Sequence, residues 1–97
     1  MALVQSTGKV TFLRVHNRGT KFGPPSDQID VEVVVQLSSP RGKSFGFQLR
    51  DDAQRPARQG MLDLLRDAFN HGWTCVLDYD IADGKKNGVI IRVALKK

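Results

Sequence analysis

One cysteine, Cys75, stands in the whole chain of 97 residues, which excludes an intrachain disulfide and a zinc site built from several thiolates. No apolar run approaches the roughly 18 residues that a membrane-spanning helix needs, so no membrane insertion is expected. Residues 1–8 lack the charged and apolar regions of a secretory signal, so the chain as written is expected in the cytoplasm, or outside the cell if this is a mature form. There is no run of five or more like charges, no internal repeat and no low-complexity segment. Catalytic signatures are lacking too. The serines lie in turn-like stretches without a Gly-x-Ser-x-Gly elbow, Cys75 alternates inward beside no evident base, and His16 and His71 read as surface polar residues. A non-enzymatic protein without cofactor or metal is expected.

What is present is one amphipathic helix and a set of strands. Over residues 56–72, Met61, Leu62, Leu64, Leu65, Ala68 and Phe69 fall on one arc at about 100° per residue, opposite Asp63, Arg66, Asp67, Asn70 and His71. Pro56 suits a first helical position, where its missing N–H has no partner to lose, and Gly72 suits the left-handed position just past the end. No other segment carries a helical period.

Residues 9–15 are β-rich, but the apolar parity switches between Phe12 and Leu13, as a bulge in a sharply bent strand requires. Residues 16–28, with two glycines and a Pro-Pro pair, read as a long loop of the kind that carries binding or assembly roles. In residues 29–37, Ile29, Val31, Val33, Val35 and Leu37 alternate with Asp30, Glu32, Val34 and Gln36, a strand with one face in the core. A turn over 38–43 leads to a strand over 44–50 with Phe45, Phe47 and Leu49 inward. After the helix, residues 73–81 alternate with Trp73, Cys75, Leu77, Tyr79 and Ile81 on one side. The turn over 82–88 contains Asp-Gly and Asn-Gly, and a last strand over 89–95 points Val89, Ile91, Val93 and Leu95 inward. Three strands, a helix, then two strands is the order of the OB-fold, a mainly β, five-stranded Greek-key barrel with one helix between its third and fourth strands. One such domain over residues 1–97 is expected.

The stretch MLDLLRDAFNHGWTCVLDYD (residues 61–80), the later NGVIIRV and the early Gly8-Lys9-Val10 resemble the pentameric B subunits of bacterial A/B toxins, most of all the Shiga-toxin type. The likeness is one of element order over nearly the whole chain and of residues over the last forty or so. Arg55 and Pro56 stand where the Shiga type has an aromatic, and the family's disulfide has no counterpart here. The resemblance implies a homo-oligomeric ring, a pentamer in that family, whose helices line a pore and whose outer face binds carbohydrate.

By analogy with that family, a glycan site on the loop after the first strand would use Asn17, Arg18, Lys21, Phe22, Asp27 and Gln28, with Trp73 as an aromatic platform unless it packs in the barrel mouth beneath the helix. The width of the helix arc and the apolar residues at nominally outward strand positions point to an oligomer interface of Val34, Met61, Leu65, Val76 and Ile90, the alternative being that strand twist and loops cover them within one chain. Two other functions stay open: single-stranded nucleic-acid binding, which OB-folds perform, and a purely structural assembly subunit. Fifteen basic against ten acidic residues, a net charge of +5, favour an anionic partner. Against nucleic acid, Phe45 and Phe47 share the inward parity, while the outward Asp30, Glu32, Gln36, Ser44 and Gln48 are neutral or acidic. A labelled oligonucleotide is therefore expected to bind weakly at most, with the signal gone between about 50 and 200 mM salt, as bare phosphate attraction requires. Fluorescence anisotropy measures it, and submicromolar affinity that survives the salt would reverse this ranking.

Overall fold

The computed structural model describes residues 3–97. Its elements are β1 (Leu3–Val15), a 3-10 turn (Pro25–Asp27), β2 (Val33–Leu37), β3 (Ser44–Phe47), α1 (Arg55–His71), β4 (Thr74–Asp80) and β5 (Asn87–Lys96). The structure is mainly β: five strands, hydrogen-bonded in the order β1-β2-β3-β5-β4, close into a ring through the pairing of β1 with β4. All neighbours are antiparallel except β3 and β5, which run parallel. No helix among the described residues is long and apolar enough to cross a membrane.

The helix forms where its pattern places it. Pro56 lies in its first turn, and Gly72, at φ 67°, ends it by donating its N–H to the Ala68 carbonyl at 2.9 Å. Leu65 and Ala68 are fully buried against the strands, with Met61 and Leu62 packed beside them. The flanks of the arc stay open: Leu64 is 37% exposed and Phe69 is 49% exposed. α1 lies on β1, β5 and β4, so it closes the ring over a core of Val10, Val33, Val35, Leu37, Phe45, Phe47, Leu77, Tyr79 and Ile90.

A ring of five short strands needs local breaks in pairing, because a regular ladder cannot bend so sharply. The first break falls in β1. Val10 pairs with Leu37 and Phe12 with Gln36, so Thr11 is the extra residue; Leu3 to Lys9 pair with β4, while Val10 and the residues after Thr11 pair with β2. The expected parity switch is there, one residue early, and β1 reaches back to Leu3 rather than starting at Lys9. The second break corrects the sequence reading of β5. Tyr79 pairs with Ile90 and Asp78 with Arg92, leaving Ile91 as the extra residue. Beyond it Val93 and Leu95 pack on the core as expected, but before it the parity is reversed. Ile90 is buried, whereas Val89 and Ile91, expected inward, are 37% and 52% exposed.

β2 is shorter than its alternation predicts. Ile29 and Val31 are buried, yet the ladder starts only at Val33, because residues 28–32 turn away to form a second layer. Phe22 and Ile29 exchange backbone hydrogen bonds at 3.0 and 2.8 Å, and Ile29, Val31 and Val34 make a small outer cluster with Phe12 and Phe22. The expected interface is corrected by the same observations. Val34 is covered by this loop, Ile90 is turned inward by the bulge, Leu65 sits at the centre of the helix contact and Val76 is buried between Thr7 and Ala94 on the neighbouring strands. Met61 is partly buried against the core. None of the five offers an exposed side chain; among the described residues the exposed large apolar ones are Leu3, Val4, Val15, Leu64, Phe69, Val89 and Ile91.

Cys75 is fully buried, and burial pushes its thiol up to about 11, so at neutral pH it is a small apolar core residue rather than a nucleophile. Gly46 is a point of contact between the two layers. A methyl group built on it would lie 2.5 Å from the Val33 carbonyl oxygen and 2.6 Å from Val31 Cγ2. Gly46→Ala is accordingly expected to cost about 2 kcal/mol or more in urea denaturation, since the crowding is against backbone as well as side chain. A wild-type midpoint would show that the Val31 segment is free to lift.

Candidate functional site

The loop after β1 does not project into solvent as a free excursion. It folds back over the outer face of β1 and β2 and is then clasped to the β4–β5 turn by three hydrogen bonds. The Lys86 backbone N–H donates to Asp27 Oδ2 at 2.7 Å, Asn87 Nδ2 donates to the Asp27 carbonyl at 2.7 Å, and Lys85 Nζ donates to the Ser26 carbonyl. Asp27 can make two of these contacts because the 3-10 turn over Pro25–Asp27 presents its side chain and its carbonyl to the same neighbour.

Between the clasped segments lies an open cleft of about 690 Å³. Its polar lining includes Ser26, Asp27, Gln28, Asp80, Asp83, Lys85 and Asn87, over an apolar floor that includes Ile29, Ile81 and Val89. Three carboxylates face one ammonium, and that ammonium is already engaged with the Ser26 carbonyl. The lining is rich in hydrogen-bonding groups, poor in positive charge and without an aromatic side chain. It suits a neutral, hydroxyl-rich ligand better than a phosphate.

Only Asp27 and Gln28 of the residues predicted from sequence lie in this cleft. Asn17 and Arg18 border a separate recess of about 280 Å³ with Val15, His16, Glu32, Leu49, Arg50 and Asp51. There Glu32, 3% exposed, accepts hydrogen bonds from the Leu49 N–H and from Arg50 Nε and Nη2, each at 3.0 Å, and Arg50 also reaches Asp30 at 2.8 Å. The hydrogen bonds that Arg50 donates to Glu32, then to Asp30, hold its guanidinium pKa above the ordinary value. His16 Nε2 donates to the Val31 carbonyl at 2.6 Å, which leaves Nδ1 a buried acceptor without a partner. The Glu32 group ties the irregular segment before β2 to the residues after β3; it is a structural brace with its hydrogen bonds internally satisfied.

Lys21 is exposed beside the Phe22–Ile29 bridge. Phe22 is half-buried, with the Arg14 guanidinium 5.2 Å from its ring centre and 5.9 Å from that of Phe12. Trp73 is neither in the barrel mouth nor near the cleft. It is half-buried at the start of β4, stacked on His71 at 4.4 Å, with Lys97 Nζ 4.9 Å from its ring. The cleft lies at the other end of that strand, about 20 Å away along a strand of this length. The sequence reading missed Asp80, Asp83, Lys85 and Asn87. Their Asp-Gly and Asn-Gly neighbours marked a turn, but nothing in the local pattern announced that this turn would meet the first loop.

Among the described residues no group of three or more histidine, cysteine or carboxylate side chains is placed to hold a metal ion. The class of protein that the structure defines is a mainly β, five-stranded closed ring with one capping helix and a polar cleft between two clasped loops. Comparison with protein-family models, with curated proteins and with solved structures finds no match to this chain.

The clasp has a direct test. Asp27→Ala removes the acceptor of the Lys86 N–H and is expected to cost about 1 kcal/mol in denaturant, with faster amide exchange at Lys86. Unchanged exchange would mean that the two loops are held by something else.

Proposed function

We propose that this chain is a non-catalytic binding subunit of OB-fold type whose ligand is carbohydrate. The observation that carries the reading is the cleft formed where the first loop is clasped to the β4–β5 turn. In OB-folds the loops between the first two and last two strands, together with the face of the second and third strands, are where oligosaccharides and oligonucleotides bind. The strand order β1-β2-β3-β5-β4, with α1 between β3 and β4, supports the fold assignment.

The choice between the two ligand classes rests on chemistry. A single-stranded nucleic acid needs a cationic track with free aromatic rings for base stacking. Phe45 and Phe47 are buried in the core, Phe12 and Phe22 are packed in the outer cluster, and the cleft carries Asp27, Asp80 and Asp83. Sugar hydroxyls pair readily with carboxylates, amides and backbone carbonyls, all of which are present.

A ring of several copies, as the toxin-subunit resemblance implies, belongs to this proposal with different contact residues. Leu3 and Val89 both pair in register with Asp80, and with Ile91 they leave apolar side chains exposed on one side of the ring of strands. The same residues would serve a purely structural assembly subunit, which differs in having no glycan ligand.

The test is a titration of ¹⁵N-labelled protein with a panel of neutral oligosaccharides, followed through amide shifts, beside light scattering on the eluting species. Shifts are expected at residues 26–29 and 80–87, reduced by Asp83→Asn and untouched by Trp73→Ala, with a mass above that of one chain. No hits from an intact oligomer would select the assembly subunit instead, and a clean monomer at micromolar concentration would remove the ring.

A further inference from the structure

The acid-lined cleft is one end of a longer feature. On the outer face, Gln36 of β2 donates through Nε2 to Ser44 Oγ of β3 at 2.8 Å. Ser44 pairs in register with Asn87 of β5, and parallel pairing sends those two side chains to the same side of the sheet. Asn87 reaches the Asp27 carbonyl and lines the cleft already described. Gln36, Ser44 and Asn87 thus form a polar row across three strands, about 10 Å from first to last at ordinary strand spacing, with Ser44 buried between the two partly exposed amides.

At the far end of this row lies a second depression, of about 370 Å³, lined by Thr11, Gln36, Leu37, Ser38, Arg41, Gly42 and Lys43. Its charge is opposite to that of the first. Arg41 and Lys43 are its only ionisable lining residues; Lys86, exposed on the β4–β5 turn, stands instead at the Asn87 end of the row, where its carbonyl accepts the Ser44 N–H at 3.0 Å and its N–H donates to Asp27. Among the described residues neither Arg41 nor Lys43 forms an ion pair, so both charges stay open to a ligand. Two cations in a depression that holds no carboxylate, at the end of a hydrogen-bonding row, form a place for anionic substituents carried on a polar chain.

We infer that this face binds a sulfated polysaccharide, with sulfate esters against Arg41 and Lys43 and sugar hydroxyls against the amides of Gln36 and Asn87. The inference rests on the carbohydrate reading of the cleft and narrows it to an anionic glycan. A phosphodiester chain would satisfy the cations equally, but its bases would find no free ring to stack on along the row. The amide and hydroxyl side chains match a saccharide.

The test uses the full chain and a fluorescent heparin-derived hexasaccharide, with its desulfated form and a hexathymidylate as comparators. The doubly substituted Arg41→Ser/Lys43→Ser protein and Asp83→Asn are measured beside wild type, with circular dichroism to confirm folding. Wild type is expected to bind the sulfated probe, to bind the desulfated probe and the oligonucleotide at least about ten-fold more weakly, and to lose at least about ten-fold affinity for the sulfated probe in the double variant. Equal binding of sulfated probe and oligonucleotide would reduce the site to general attraction of polyanions and overturn the inference. So would a double variant that binds as wild type does. If the sulfated probe fails while neutral sugars still shift the cleft in an Asp83-dependent manner, this inference falls and the carbohydrate reading stands; if both fail, both fall.

Discussion

Three residue pairs join β3 to β5, and the ring depends on them: Ser44 with Asn87, Phe45 with Gly88 and Gly46 with Val89. This short parallel ladder joins the strand before the helix to the last strand of the chain, and every other strand pair is antiparallel. It works because two of its members have no side chain. Gly46 lets Val31 of the outer layer lie directly on β3, and Gly88 lets the Phe45 and Tyr79 rings meet at 4.3 Å across the seam. Bulk at either position would push apart strands that have only three pairs with which to resist. The same ladder brings the β2–β3 hairpin, the first loop and the β4–β5 turn to one side of the molecule, so closure of the core and assembly of the polar groove are one event.

The molecule has two apolar layers with different duties. The inner one, from Val10 to Ile90, carries the bulk of the burial and is sealed by Leu65 and Ala68 of the helix. The outer one, Ile29, Val31 and Val34 with Phe12 and Phe22, is small and holds the first loop against the outside of β1 and β2. It hides the aromatics of that face and leaves the polar row from Gln36 to Asn87 along its border. A face that would otherwise offer rings for stacking thus offers amides and hydroxyls, with unpaired cations at one end and carboxylates at the other.

The helix was legible almost to the residue, since its apolar arc and its terminal Pro56 and Gly72 are local signals, and Arg55–His71 follows them closely. The bulge in β1 was legible because Phe12 and Leu13 are adjacent apolar residues that cannot both face inward. The bulge at Ile91 was not, because Val89, Ile90, Ile91 and Val93 accept either parity without any polar residue objecting; Arg92 was the only restraint, and it faces out in both registers. The same ambiguity made Val34, Val76 and Ile90 read as an exposed interface when all three are buried within the chain. For the candidate site, Asp27 and Gln28 of the first loop line the cleft, while Trp73 stacks on His71 at the opposite end of β4.

The order of chain elements, the absence of a disulfide and the position of the one helix followed from sequence alone, because composition, period and end signals act over a few residues. Which loops meet, which strand parity is inward and where the net positive charge is left unpaired were decided only by the tertiary structure. Those depend on contacts between residues about sixty positions apart, such as Asp27 with Lys86 and Asn87, whose cost and benefit no local pattern contains.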